Sequence, residues 1–326
     1  MSETTRPGFV HAIDVASAGN GGRVLSASDD FFAEKENLLN PAEPVFKPGL
    51  FTDRGKWMDG WESRRRRDPG NDWCTVQLGY RSVLEGVDIY TRHFNGNEPE
   101  SALIEATDLG RGQSLETAEW TPITENTPLG PDRHNYTPVN SDRPWTHVRL
   151  QIYPDGGVAR LRVYGRAVFD WDSLGEGQIV ELSGIKYGGR PVSCSNEHFG
   201  TMQNLIKISD GANMGDGWET ARRRDGLHDW VIIELGHKGN VHSVTVDTRH
   251  FKGNAPGSCS IDGFVADSGD ISNPDWISVI KRTNIEPDMV VSLDGVQVQG
   301  PFSHIRLNIF PDGGVSRLRV FGTSAP

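Results

Sequence analysis

Apolar and polar residues alternate over Val148-Arg149-Leu150-Gln151-Ile152-Tyr153 and again over Ala159-Arg160-Leu161-Arg162-Val163-Tyr164. Such period-two patterns mark strands with one buried and one exposed face. Pro154-Asp155-Gly156-Gly157 lies between them, so the segment reads as a β-hairpin whose turn is structural rather than a site. Arg149, Gln151, Arg160 and Arg162 then share the face opposite Leu150, Ile152, Leu161 and Val163, with salt bridges to neighbouring strands expected there. Val231–Gly236 and Val241–Val246 read as two more strands separated by a turn. Along Val87–His93, alternation puts His93 with Val87 and Ile89 and puts Arg92 with Asp88 and Tyr90, on opposite faces. Helical periodicity is scarce; Asp29–Glu36, with Ser28 as N-cap, is the best helix. Short strands divided by many Gly and Pro turns predict an all-β antiparallel sandwich.

The pattern occurs twice. Asp59-Gly60-Trp61-Glu62 followed by Arg65-Arg66-Arg67-Asp68 returns as Asp216-Gly217-Trp218-Glu219 followed by Arg222-Arg223-Arg224-Asp225. Thr91-Arg92-His93-Phe94 with Gly96-Asn97 returns as Thr248-Arg249-His250-Phe251 with Gly253-Asn254, at the same offset of 157. Arg149–Gly165 and Arg306–Gly322 are identical at 13 of 17 positions, so both copies end in the same unit. Upstream, Arg23–Asp29 matches Arg190–Asn196 at an offset of 167, which puts ten extra residues in the first copy near Pro41–Leu50. The copies run from 10 to 166 and from 177 to 323, joined by the short polar segment Asp170–Gln178.

At 326 residues the chain accommodates two domains, each with its own core. A net charge of −11 argues against nucleic acid and anionic membrane as partners. No apolar run is long enough to span a bilayer and no signal-peptide pattern is present. Cys74, Cys194 and Cys259 are unmatched between copies and read as free thiols in a reducing compartment, which points to the cytoplasm.

The doubled polar residues carry the candidate chemistry. Arg65, Arg66 and Arg67, with Arg222, Arg223 and Arg224, offer planar donor forks suited to a carboxylate or urea-like oxygen. Asp59, Glu62, Asp68 and Asp72 bracket the first cluster, which argues against a nucleic-acid contact; the competing reading is an Arg–carboxylate network pinning a loop. His93 and His250 are either proton-transfer groups or hydrogen-bonded histidines at the core edge. His11, His134, His198, His228, His237 and His242 lack counterparts and are expected on the surface. Metal-ligand spacings are absent, so no cofactor is evident, although scattered Asp, Glu and His leave a divalent ion such as Mn²⁺ open.

Ser-x-Ser-Asp-x-Phe-Phe at 26–32, Asp-Gly-Trp-Glu-(Ser/Thr)-x-Arg-Arg-Arg, Thr-Arg-His-Phe-x-Gly-Asn and the tandem layout together resemble allantoicase, over residues 10–323. The resemblance implies two tandem jelly-roll β-sandwich domains of the galactose-binding-like type. It also implies hydrolysis of allantoate to ureidoglycolate and urea in purine degradation. With that substrate, Glu62, His93, Glu219 and His250 become the candidate catalytic residues. Arg65, Arg66, Arg67, Arg92, Arg222, Arg223, Arg224 and Arg249 become the candidate substrate ligands. The copies differ where Ser63 answers Thr220, Arg64 answers Ala221 and Tyr90 answers Asp247, which leaves open whether one or both are catalytic. A homo-oligomer is expected. The alternative is a non-catalytic tandem sandwich that binds a carbohydrate or other small polar ligand; a pure assembly role for the Arg-bearing sheet face is a third reading.

Overall fold

The computed structural model describes residues 6–110, 112–266, 274–293 and 295–325. The chain divides into two units, Met1–Val168 and Phe169–Pro326. Each is a jelly-roll β-sandwich built around one 19-residue strand, Asp72–Tyr90 in the first and Asp229–Asp247 in the second.

In the first domain the early limb of this strand pairs with Arg23–Ala27 on one side and Pro144–Tyr153 on the other. Pro144–Tyr153 continues the layer to Ser101–Thr107. The late limb pairs with Arg160–Ala167 and Tyr136–Pro138. One strand therefore serves both layers, and the register shows how: Asp72 faces Ile152 while Tyr90 faces Arg160. Its first residue meets the Pro154–Gly157 turn, Asp72 N donating to the Pro154 carbonyl, and its last, Tyr90, accepts from Ala159 N just beyond that turn. The second domain repeats this layout, its late limb pairing with Arg317–Ser324 and its early limb with Phe302–Phe310.

Two expectations change here. The segment at 148–164 is two strands, but not a hairpin, because each strand pairs with a different limb of the long strand. Alternation identifies a strand's faces and not its partner. Likewise 231–246 contains no turn: the strand is continuous, with its register shifting between Glu234 and Gly239 where the chain changes layer.

The predicted buried positions do form the cores. Val148, Leu150, Ile152, Leu161 and Val163 are fully buried, as are Ile305, Leu307, Ile309, Leu318 and Val320. Each such side chain contributes roughly 1.5–3 kcal/mol by leaving water. Trp61 and Trp218 are sealed inside, their indole N–H groups donating to the carbonyls of Asp29 (2.7 Å) and Asn196 (2.8 Å). Asp29–Glu36 is not a helix. Ser28 Oγ turns to Asp72 instead of capping, Asp29 binds Arg64, and Ala33 forms a β-bridge with Glu62. A 3₁₀ turn begins only at Lys35. The connecting segment is fastened to the second domain, with Phe169 and Trp171 packed on Tyr187 at 4.7 and 5.7 Å. Among the described residues no helix is long and apolar enough to cross a membrane.

Candidate functional site

The short strand Trp61–Glu62 pairs with Gly157–Val158 on one side and bridges Ala33 on the other. It delivers the arginine run onto the Pro154–Gly157 turn. Ser63 N donates to the Gly156 carbonyl, and Arg66 N donates to Asp155 Oδ2 at 2.8 Å. The second domain repeats both contacts, with Thr220 on Gly313 and Arg223 N on Asp312 Oδ2 at 2.8 Å. The turn read as purely structural therefore also holds the loop that carries the arginines.

The middle arginine is anchored inward. Arg66 Nη1 lies 2.8 Å from Asp72 Oδ1, which also accepts from Ser28 Oγ at 2.9 Å. Arg223 Nη1 lies 2.7 Å from Asp229 Oδ1, which accepts from Ser195 Oγ at 2.8 Å. Both aspartates are 1% exposed. The arginines flanking them are different. Arg65, Arg67, Arg222 and Arg224 are exposed, and among the described residues they have no hydrogen-bond or ion-pair partner. The result is an open cleft in each domain. The first, ≈ 380 Å³, is lined by Ser28, Asp29, Arg64–Arg67, Asp68 and Asp72. The second, ≈ 480 Å³, is lined by Ser195, Asn196, Ala221, Arg222–Arg224, Asp225 and Asp229. Four arginines against three aspartates, and three against two, leave each cleft with one net positive charge.

The clefts differ in detail. In the first, Arg64 binds Asp29 through Nε at 2.8 Å and lies over the Phe31 ring. Burial pushes the Asp29 carboxyl up, but the hydrogen bonds from Arg64 outweigh it and hold it below its ordinary value. In the second, Ala221 and Asn196 stand there, joined only through the Ala221 N–H (2.8 Å). Arg223 Nε is taken by Asp225 at 3.1 Å, whereas Arg66 Nε is buried without a partner.

Glu62 and Glu219 precede the arginine runs in sequence but are outside the linings of the clefts. Glu62 Oε1 accepts from Asn97 Nδ2 at 2.8 Å, and Glu219 Oε1 from Asn254 Nδ2 at 2.5 Å. Burial raises the Glu62 carboxyl above its ordinary value, with the Asn97 hydrogen bond and Lys56 offsetting part of the rise.

His93 and His250 are not strand residues, so the opposite-face expectation does not apply. The long strands end at Tyr90 and Asp247, and the histidines follow in tight turns at φ 68° and 74°. Their N–H groups donate to Asp132 and Asp288, both at 2.8 Å. Each ring Nε2 meets a carbonyl, Pro44 at 3.2 Å and Gly211 at 2.7 Å. A carbonyl only accepts, so Nε2 is the donor in each contact. Arg92 pairs with Asp132 at 3.4 Å, and Arg249 with Asp247 at 2.6 Å and Asp210 at 3.0 Å. Neither lines a cleft.

Several residues not put forward as site residues from the sequence hold the clefts and their neighbouring loops in place: Ser28/Ser195, Asp72/Asp229, Asn97/Asn254, Asp155/Asp312 and Arg160/Arg317. The signal that could have found them was recurrence at matched positions of both copies. Arg160 and Arg317 also depart from the expected exposed face; they are 0% and 1% exposed. Arg160 Nη2 binds Asp59 (2.9 Å) and its Nε the Ala42 carbonyl (3.0 Å), tying down the loop that bears the ten extra residues. Among the unmatched histidines, His134 is half-buried rather than a free surface residue. Its Nδ1 sits 2.6 Å from buried Asp88, and its ring stacks on Tyr90. Among the described residues no three His, Cys, Asp or Glu side chains converge as around a metal ion.

Comparison with known proteins agrees with this layout. The family model described as the allantoicase repeat matches twice, at residues 13–168 and 180–325. A probable allantoicase of Pseudomonas aeruginosa (strain UCBPP-PA14) is 45% identical over 321 residues, covering 97% of each chain. One from Pseudomonas syringae pv. syringae (strain B728a) is 46% identical, covering 97% of this chain and 98% of its own. The crystal structure of allantoicase from Saccharomyces cerevisiae superposes with a TM-score of 0.81 at 34% identity, over 95% of this chain and 93% of that one. With the family model covering most of its length in two tandem matches, the chain belongs to the allantoicase family.

Proposed function

We propose that this chain hydrolyses allantoate to ureidoglycolate and urea, a step of purine degradation. The observation that carries the reading is the cleft in each domain, where a carboxylate-anchored arginine is flanked by two unpaired guanidinium groups. Allantoate is a small carboxylate bearing two ureido groups on one carbon. Arg65 and Arg67, or Arg222 and Arg224, grip its carboxylate, and Arg66 or Arg223 fixes the direction of approach through Asp72 or Asp229.

Glu62 or Glu219 protonates the departing ureido nitrogen as its bond to the central carbon breaks. The lone pair of the remaining ureido nitrogen drives that departure. Water then adds to the carbon and returns a proton to the carboxylate, so the glutamate ends as it began. Partial burial favours the protonated form of Glu62 that this role requires. Such acid–base assistance is worth about 10²–10⁴-fold. In this scheme His93 and His250 hold their loops through Nε2, while Arg92 and Arg249 brace the same loops.

The reading extends to a cytoplasmic homo-oligomer with no nucleic-acid or membrane partner. Three free thiols suit a reducing compartment, and exposed Arg-bearing surfaces suit subunit packing. A light-scattering mass of one chain, 35.9 kDa, would remove the oligomer. Urea release from allantoate by the purified protein is the direct test of the activity, run with chelator and with added Mn²⁺. Release of urea above background in at least one of these conditions is expected. Absence of urea in every condition overturns the enzyme reading.

A further inference from the structure

Asn97 and Asn254 are set with unusual firmness. The carbonyl of each accepts from the turn, Asn97 from Gly157 N at 2.8 Å and Asn254 from Gly314 N at 2.9 Å. The preceding turn glycines are in contact with the same carbonyls. A Cβ on Gly156 would lie 2.8 Å from Asn97 O, and one on Gly313 would lie 2.4 Å from Asn254 O. Both glycines also sit at strongly positive φ, 137° and 133°. Only glycine fits this contact.

The side-chain amide is oriented as well. Asn97 Oδ1 accepts from Asn95 N at 3.2 Å, so the group facing Glu62 is the NH₂. An NH₂ group can only donate, which obliges Glu62 Oε1 to accept. When the carboxyl is protonated, the carbonyl oxygen is the better acceptor, so the Asn97 contact favours Oε1 in that role and the proton on Oε2. The same preference holds for Glu219 through Asn254.

We propose that Asn97 and Asn254 are positioning residues that place the transferable proton of Glu62 and Glu219 on Oε2, and that Asn97 sets the pH at which Glu62 loses it. The proposal rests on the reading of these glutamates as proton donors. Apart from the unpaired cleft arginines, the charged groups near these pairs have other partners. In the first domain Asp155 faces Arg66 N, Glu98 faces Gly96 N, His93 faces the Pro44 carbonyl, and Lys35 pairs with Asp30 and Glu36. Among the described residues Lys56 is the cation that bears on Glu62. In the second, Asp312 faces Arg223 N, His250 the Gly211 carbonyl, Lys207 Asp216, and Lys252 Asp288.

The test is the pH profile of kcat/KM for Asn97→Ala/Asn254→Ala beside Glu62→Gln/Glu219→Gln. Loss of the amide removes a donor that favours the ionised carboxyl, so the Glu-dependent limb should move up by about half to one pH unit. Asn97→Asp/Asn254→Asp keeps the side-chain shape and makes two carboxyls share a proton, so its limb should move further. KM should stay within about twofold, because the arginine clefts are untouched. A limb that stays in place while the rate falls in all the Asn variants overturns the proposal. Full rate with an unchanged limb in the Gln variant instead removes the glutamates as proton donors. Should the Ala variant fail to fold, as judged by its melting curve, the Asp variant carries the same measurement.

Discussion

At the residue scale, the arginines divide by where their guanidinium groups end. Arg160 is fully buried, and each of its nitrogens donates to Asp59 or a backbone carbonyl. Arg160→Met should destabilise the first domain by about 3–5 kcal/mol, because Asp59 loses its ion-pair partner. The denaturant midpoint reads this directly. Arg65 and Arg67 are exposed and unpaired, so Arg65→Ala/Arg67→Ala should leave that midpoint almost unchanged. KM should nonetheless rise about 10- to 100-fold, as expected for losing charge-assisted contacts to an anion. Unchanged KM would dissociate the cleft from the substrate.

His147 and His304 make a different prediction at this scale. They occupy matched positions, and burial lowers both below the ordinary value of 6.5. The folded protein holds them neutral while the unfolded chain protonates more readily. Their contribution is therefore complete above pH 6.5 and is lost as pH falls through that value towards the lowered one. Melting temperature should drop between pH 7 and 5.5, and less steeply in His147→Gln/His304→Gln. Equal slopes would assign the acid sensitivity elsewhere.

At the element scale, the long strands depend on glycine where they change layer. A Cβ on Gly79 would lie 2.0 Å from the Asn20 carbonyl oxygen, and one on Gly236 would lie 1.9 Å from that of Tyr187. Backbone cannot yield that far, so Gly79→Ala and Gly236→Ala should each destabilise by about 1–3 kcal/mol or more, read by thermal melting. Much of this architecture was legible in the chain. Period-two alternation located Val148–Tyr153 and Ala159–Tyr164 and their buried faces, and recurrence separated the domains. Partnering was not legible, since a Pro-Asp-Gly-Gly turn looks the same whether it joins two strands of one layer or arches between layers. Arg160 sat in an alternating polar position, and nothing in the period revealed that the loop at Ala42 and Asp59 would cover it. His93 was assigned to a face because Val87–Tyr90 continued so regularly before it. Recurrence singles out the glutamates and arginines as candidates; Asn97 and Asp72 recur equally, but their partners emerge only from the fold.

At the scale of the whole molecule, each domain carries its own cleft with the same net charge and its own Glu–Asn pair. Calorimetric titration with an unreactive carboxylate analogue should therefore give two sites per chain. They should not be equal. The first cleft carries Arg64 and Asp29 where the second carries Ala221 and Asn196, so the two affinities should differ measurably. A single class of sites, lost on Arg65→Ala/Arg67→Ala alone, would confine binding to the first domain.

The turn at Pro154–Gly157 has a consequence for how the protein comes into being. Ile13 pairs with Gly165, and Arg66 N and Asn97 O find their partners at Asp155 and Gly157. Pairings so distant along the chain close slowly, because most of the loop entropy must be overcome first. A nascent chain that has emerged from the ribosome only as far as residue 150 holds every residue lining the first cleft but lacks the turn that fastens the arginine loop. The domain gains its binding surface and its last strands together, so an incompletely made chain is kept from binding substrate until its fold is nearly closed.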